Sequence, residues 1–257
     1  MLAAALKSLE QKDNPLRVNN FAMNLRELSR LILKELSPDD GIKQCCWFTQ
    51  EFNDRGVPVM TRAQRIRYAV QAGLPVKFVE NTLGIDVSRV IKEHGRILEE
   101  LNGFTHLGRK TFGIDEAQAD GLANETLDIF TELLQTVDKC REEVRRALEG
   151  AARDALNEEM ISRTIDELDE LATHYTVDDA HIENFELTHM GPSRIVFGAS
   201  GSVDCELQYG SDGDYARGDG LRVDDNYPLP CEFEADIATP LDLKVKRLQV
   251  DNSSFYE

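Results

Sequence analysis

Through the first two-thirds of the chain apolar residues return every third or fourth position. Phe21, Leu25, Leu28, Ile32 and Leu36 make one buried stripe and predict a helix over about 20–36, stopped by Ser37-Pro38-Asp39-Asp40-Gly41. Residues 1–12 read as a short amphipathic helix. The stretch 42–52, which holds the only tryptophan (Trp47), fits helix or strand equally. Thr61 caps a basic helix that ends at Gly73, and Pro75 opens a short one that Gly84 stops. Val90, Ile97, Leu98 and Leu101 mark a helix over about 87–103. Beyond a loop at 104–114, Asp115 opens a helix to about 148, with Ile129, Leu133, Leu134, Val137 and Val144 on its inner face. Gly150 then separates it from a further helix to about 172, with Leu156, Met160, Ile161, Ile165, Leu168 and Leu171 inward.

From Asp178 the period shortens to two. Ile182–Thr188, Arg194–Ala199 and Ser202–Tyr209 run or alternate as strands do, with turns expected at Gly191-Pro192 and Ser200-Gly201. A loop rich in Gly and Asp covers 210–225, and two more strands are expected near 227–236 and 241–250. The expectation is an α+β chain: an N-terminal helical bundle over 1–172, then a small, mostly antiparallel β domain over 173–257 with about five strands and no helix.

Charge sharpens that division. The 257 residues hold 29 basic and 47 acidic side chains, net −18. Residues 151–257 carry 8 and 24 of them, net −16, against 21 and 23 in residues 1–150. Such a surface repels phosphate, so nucleic acid is expected on the helical domain and not on the unaided β domain. The acidic domain suits solubility or docking on a basic partner protein; a homo-oligomer is the other association considered. No apolar run reaches the ~20 residues of a membrane span. The cysteines (Cys45, Cys46, Cys140, Cys205, Cys231) are odd in number and scattered, which fits reduced thiols and a cytoplasmic location.

Four groups of residues carry candidate chemistry. In Leu101-Asn102-Gly103-Phe104-Thr105-His106 an amide and an imidazole stand four apart at a helix end, with Arg109 just beyond. His106 as acid or base, Asn102 as orienting neighbour and Arg109 as charge stabiliser would suit metal-independent cleavage of RNA; a structural capping histidine is the alternative. Asp204, Glu206 and Gln208 share one strand face and could hold Mg²⁺, or be the polar side of a half-exposed strand. Asp212, Asp214 and Asp219 lie in a Gly-Asp loop that could bind a cation or be tied internally by Arg217; Val223 stands where an EF-hand closes with glutamate. Arg62, Arg65 and Arg67, near Lys77, are the one concentrated positive surface, able to meet phosphate or the chain's own acidic part. No sequence feature identifies a cofactor.

Several of these residues also carry a family resemblance. The run from Glu170 to Thr188, then Ser200-Gly-Ser-Val-Asp-Cys-Glu-Leu-Gln-Tyr-Gly-Ser-Asp-Gly-Asp with Arg217-Gly-Asp-Gly, resembles the predicted nucleases associated with prokaryotic PIWI-like proteins. The helical part resembles the same group and, through Asn102 and His106, the HEPN ribonucleases, although Leu101 stands where those have arginine. The resemblance implies a component of anti-phage or anti-plasmid defence, acting on nucleic acid or as a non-catalytic adaptor.

Overall fold

The computed structural model describes residues 1–105 and 114–256. The chain is α+β and divides into two compact units, Met1–Arg141 and Glu142–Glu257. Among the described residues no helix is long and apolar enough to cross a membrane.

The first unit is helical. It contains α1 (Leu2–Glu10), α2 (Arg17–Leu36), α3 (Asp39–Gln44), α4 (Arg62–Gln71), α5 (Val76–Asn81), α6 (Val87–Thr105) and the start of α7 (Glu116–Ser162). Its core gathers Phe21 and Leu25 of α2, Ile97, Leu98 and Leu101 of α6, and Leu122 of α7. The undecided stretch 42–52 resolves into the end of α3 and the first strand of a small hairpin, β1 (Glu51–Phe52) with β2 (Pro58–Val59). Thr61 caps α4 as expected, in a capping box with Gln64.

α7 differs from expectation. One helix runs through Gly150 where two were read. The buried stripe keeps its phase across the glycine, from Val144 and Leu148 to Ala152, Leu156 and Met160. Glu149 also pairs with Arg145 and Arg153, one helical turn to either side. Glycine costs a helix about 1 kcal/mol against alanine, and unbroken packing with two such pairs offsets it. The last apolar residues of the expected helix fall instead in the short α8 (Asp166–Asp169) and its flanks.

The second unit is built on five strands: β3 (His174–Met190), β4 (Arg194–Tyr209), β5 (Leu221–Pro228), β6 (Cys231–Asp236) and β7 (Lys244–Leu248). Every pairing is antiparallel. β4 is central, with β3 along one side, and β5 and β6 end to end along the other. β7 continues beyond β6. Ser200-Gly201 is therefore no turn: β4 passes straight through it. Gly201 is the point where β4 exchanges β6 for β5, and its carbonyl accepts the Leu229 amide at 2.8 Å. A Cβ on Gly201 would stand 1.7 Å from the His181 carbonyl oxygen, so only glycine fits this close strand approach. The strand expected at 227–236 is likewise interrupted at Leu229-Pro230, because Pro230 has no amide to continue the ladder. The loop expected at 210–225 contains the start of β5 and a short helix, α9 (Asp212–Arg217), which corrects the expectation of no helix in this part. Phe185, Phe197 and Phe233 centre the sheet's core, the first two stacked at 4.4 Å.

Candidate functional site

The edge strand β3 has three irregularities, at Asp178, Glu183 and Thr188, where its register against β4 shifts. The first sets the site. Val177 pairs with Cys205, Asp178 is the extra residue, and Asp179 then faces Asp204. On the other side of β4, Asp204 faces Asn226, Glu206 faces Asp224 and Gln208 faces Arg222. One sheet face thus presents Asp179, Asp204, Glu206 and Asp224, with His181 two residues along from Asp179.

Two pairs of carboxylates, Asp179 with Asp204 and Glu206 with Asp224, stand directly opposite each other. Like charges in that position repel. Few groups stand beside these carboxylates. The His181 Nε2 lies 3.5 Å from Asp179 and 3.4 Å from Asp204. Arg222 is committed to Glu206 at 3.2 Å and donates from Nε to Gln208 at 3.0 Å, its guanidinium lying over Tyr215. Asn226 donates to Asp204 at 2.7 Å. Asp178, Asp204, Asp224, Asp225 and Asn226 border an open depression of about 470 Å³. Asp178 and Asp179 also border a larger cleft of about 690 Å³. Its other wall, from the end of α7, brings Asn157, Ser162, Arg163 and Thr164, side chains of the kinds that contact phosphate.

The acids mark the buried groups beside them. Burial, then the charges of Asp225, Asp178 and Asp204, push the Cys205 thiol up to about 11, so it stays a protonated core residue. Tyr227 is fully buried and donates to Asp225 at 2.6 Å; burial first, then that carboxylate, raise its phenol. Among the described residues no group of three or more His, Cys, Asp and Glu side chains is arranged to hold a metal ion. That is the arrangement of a ready-made protein cage. Mg²⁺ commonly binds otherwise, through one or two carboxylates with water and substrate phosphate completing its shell, and the facing pair Asp179–Asp204 fits that mode.

The candidates named from sequence are distributed as follows. Asp204, Glu206 and Gln208 lie on β4 in the expected register. Gln208 is nearly buried and is taken up by Asp212, whose carboxylate accepts from its Nε2 at 2.9 Å. Asp214 forms the capping box of α9 with Ser211 and pairs with Arg217 at 2.6 Å, while Asp219 lies 4.0 Å from the same arginine. The three aspartates of that loop are therefore each engaged within the loop or by Gln208. Asn102 sits half-buried in the last turn of α6, its carbonyl accepting from Thr105 at 2.8 Å. Leu101 beside it is fully buried in the core. His106 and Arg109 lie outside the described residues. Arg65 is tied to Asp39 at 2.6 Å and to the Ser37 carbonyl at 2.7 Å, and Arg67 lies over Trp47.

Sequence reading missed Asp179 and His181. It began the first strand at Ile182 and left Asp178-Asp179-Ala180-His181 in the connection. An acid and a histidine two apart, directly before a strand pattern, was the available signal. Its partner Asp204 could be found only from the hairpin register.

Two family models, both described as predicted pPIWI-associating nuclease, match the chain, one over residues 1–130 and the other over residues 137–256. No curated protein and no solved structure matches.

Proposed function

Since the chain belongs to the family of predicted pPIWI-associating nucleases, we propose that it is a nucleic-acid-cleaving component of a prokaryotic defence system and works with a protein partner. We place the cleavage site on the β3–β4–β5 face around Asp179, His181 and Asp204. The observation that carries this reading is the pair of carboxylates held face to face across β3 and β4. Their repulsion is relieved by a cation, and a bound cation is also what lets a phosphodiester approach so acidic a surface.

In this reading Asp179 and Asp204 would hold Mg²⁺, which would supply charge neutralisation for the phosphate. Asn226 fixes the Asp204 carboxylate through the oxygen that His181 does not approach. The cleft between α7 and β3 takes the strand, with Asn157, Ser162, Arg163 and Thr164 toward its backbone. Water adds to phosphorus and gives up a proton to the solvent, the bond to the leaving oxygen breaks, and His181 delivers the proton that oxygen needs. The imidazole suits that role by position, its Nε2 lying 3.5 Å from Asp179 and 3.4 Å from Asp204.

The rival is a non-catalytic adaptor whose acidic unit docks on a basic partner. It is favoured by the charge of residues 142–257, 10 basic against 27 acidic. Cleavage of labelled RNA, single-stranded DNA and duplex DNA by the full chain, in Mg²⁺ or EDTA, separates the two. Activity should require Mg²⁺. Asp204→Asn should abolish it, and His181→Gln should slow it by about 10²- to 10⁴-fold. Full activity in both variants, with loss in His106→Ala, would move the site to the helical motif. Inactivity of the wild type with Mg²⁺ and with its partner would leave the adaptor.

A further inference from the structure

The arginines of the helical unit fall into two kinds. Arg30, Arg65, Arg89 and Arg96 have carboxylate partners in Glu27, Asp39, Glu132 and Glu93. Arg26 of α2 and Arg62, the first residue of α4, enter no ion pair among the described residues. The Arg26 Nε is buried with no hydrogen-bond acceptor among them. Its neighbour Glu27 is already engaged through both oxygens by Arg30. A buried guanidinium N–H without an acceptor is costly, and an arginine fork is made to bind carboxylate or phosphate.

α2, α4 and α6 pack on one another, and a buried hydrogen bond of 3.0 Å between Ser29 and His94 joins α2 to α6. Three features bear on the charge around Arg26 and Arg62. Burial first, and the Arg26 charge second, lower the proton affinity of Arg62, so the two guanidiniums act on each other. The capping box at Thr61 satisfies the Gln64 amide, leaving the amides at Arg62 and Ala63 at the positive end of the ten-residue α4. Between Arg55 and Val79 the chain carries five basic residues (Arg55, Arg62, Arg65, Arg67, Lys77) and no acid. Arg26 and Arg62 have no ion pair of their own among the described residues, with Glu27 engaged by Arg30 and Glu51 accepting from the Thr61 hydroxyl at 3.4 Å, so an anion from outside the chain can serve both.

We propose that Arg26 and Arg62 form a phosphate site of the helical unit that grips the backbone of a nucleic-acid strand, a contact separate from the cleavage face. The inference rests on the reading of the chain as a nuclease and supplies the grip that an acidic cleavage face lacks. Phosphate oxygens at the two guanidiniums neutralise both charges.

The test uses the full chain in EDTA, so that cleavage is silent. Binding of labelled single-stranded DNA and RNA is followed by fluorescence anisotropy across a range of KCl. The double variant Arg26→Gln/Arg62→Gln should bind about tenfold or more weakly. Its plot of log affinity against log salt should be shallower by about 1.4, two contacts at about 0.7 each. Inorganic phosphate should raise the melting temperature of the wild type above that in chloride of equal ionic strength, and should leave the variant unmoved. Without phosphate the variant should melt higher than wild type, since it lacks the repulsion. Unchanged affinity and salt slope would overturn the proposal. So would a variant of lower melting temperature, which would make the pair structural. Competition by a nucleoside monophosphate as effective as that of the oligonucleotide, phosphate for phosphate, would overturn the strand as ligand in favour of a free nucleotide. No residue of the β unit is altered and no cleavage is read, so the cleavage face stands or falls by the Asp204→Asn assay alone.

Discussion

His94 should make the helical unit sensitive to mild acid. It is fully buried on α6, hydrogen-bonded to Ser29, with its ring 4.8 Å from that of Phe130. Burial, and secondarily the charge of Arg62, push its pKa down to about 4. In the unfolded chain a histidine titrates near 6.5. Between those values the unfolded state binds the proton and the folded state does not, so stability falls as pH falls. The contribution is intact above about pH 6.5 and is lost as pH drops toward 4. The full gap, at about 1.4 kcal/mol per pH unit, amounts to about 3.4 kcal/mol, of which about 2 kcal/mol is lost by about pH 5. The assay is urea denaturation followed by the fluorescence of Trp47, the only tryptophan, which lies in the same unit. Wild type and His94→Gln are compared near pH 8 and near pH 5. Gln cannot take up the proton, so the variant should lose about 2 kcal/mol less than wild type between the two conditions, whatever its stability at the start. Carboxylates titrate alike in both chains and cancel. An equal loss in the two proteins would refute the claim that a neutral buried His94 underlies the acid response.

Three substitutions test the β unit. Gly201→Ala would drive a methyl group into the His181 carbonyl, and should cost several kcal/mol or prevent the hairpin from forming, read by thermal melting and far-ultraviolet circular dichroism. Phe197→Ala removes the ring stacked on Phe185 in a fully buried position, and should cost about 3–5 kcal/mol by urea denaturation. Ser211→Ala deletes the hydroxyl that caps α9 and should cost about 1 kcal/mol or less on an exposed helix, visible as faster amide hydrogen exchange across Asp212–Arg217 with little change in melting.

Much of the fold was legible because helices and strands write their periods locally. The stripe Phe21–Leu25–Leu28 on α2, the capping box at Thr61 and the shift of period near Asp178 each depend on residues a few positions apart. The misread points were those where a local signal met a distant contact. Gly150 looks like a stop, yet the inward stripe on both sides keeps α7 whole. Ser200-Gly201 looks like a turn, yet the glycine serves a close crossing with His181. Pro230 was a local signal left unread inside the strand expected at 227–236, since a missing amide breaks a ladder whatever surrounds it.

The sequence by itself determined the α+β class, the concentration of acid in the C-terminal part and the alternation that puts Asp204 and Glu206 on one strand face. These follow from short-range geometry and from composition. Only the tertiary structure decided which groups meet. A single extra residue at Asp178 sets Asp179 opposite Asp204 and brings His181 against both. The packing of α2 on α4 lets the charges of Arg26 and Arg62, 36 positions apart, act on each other. Strand register and helix packing join residues distant along the chain, and a shift of one position turns a side chain to the opposite face. Local periodicity therefore carries the elements, and long-range pairing carries the site.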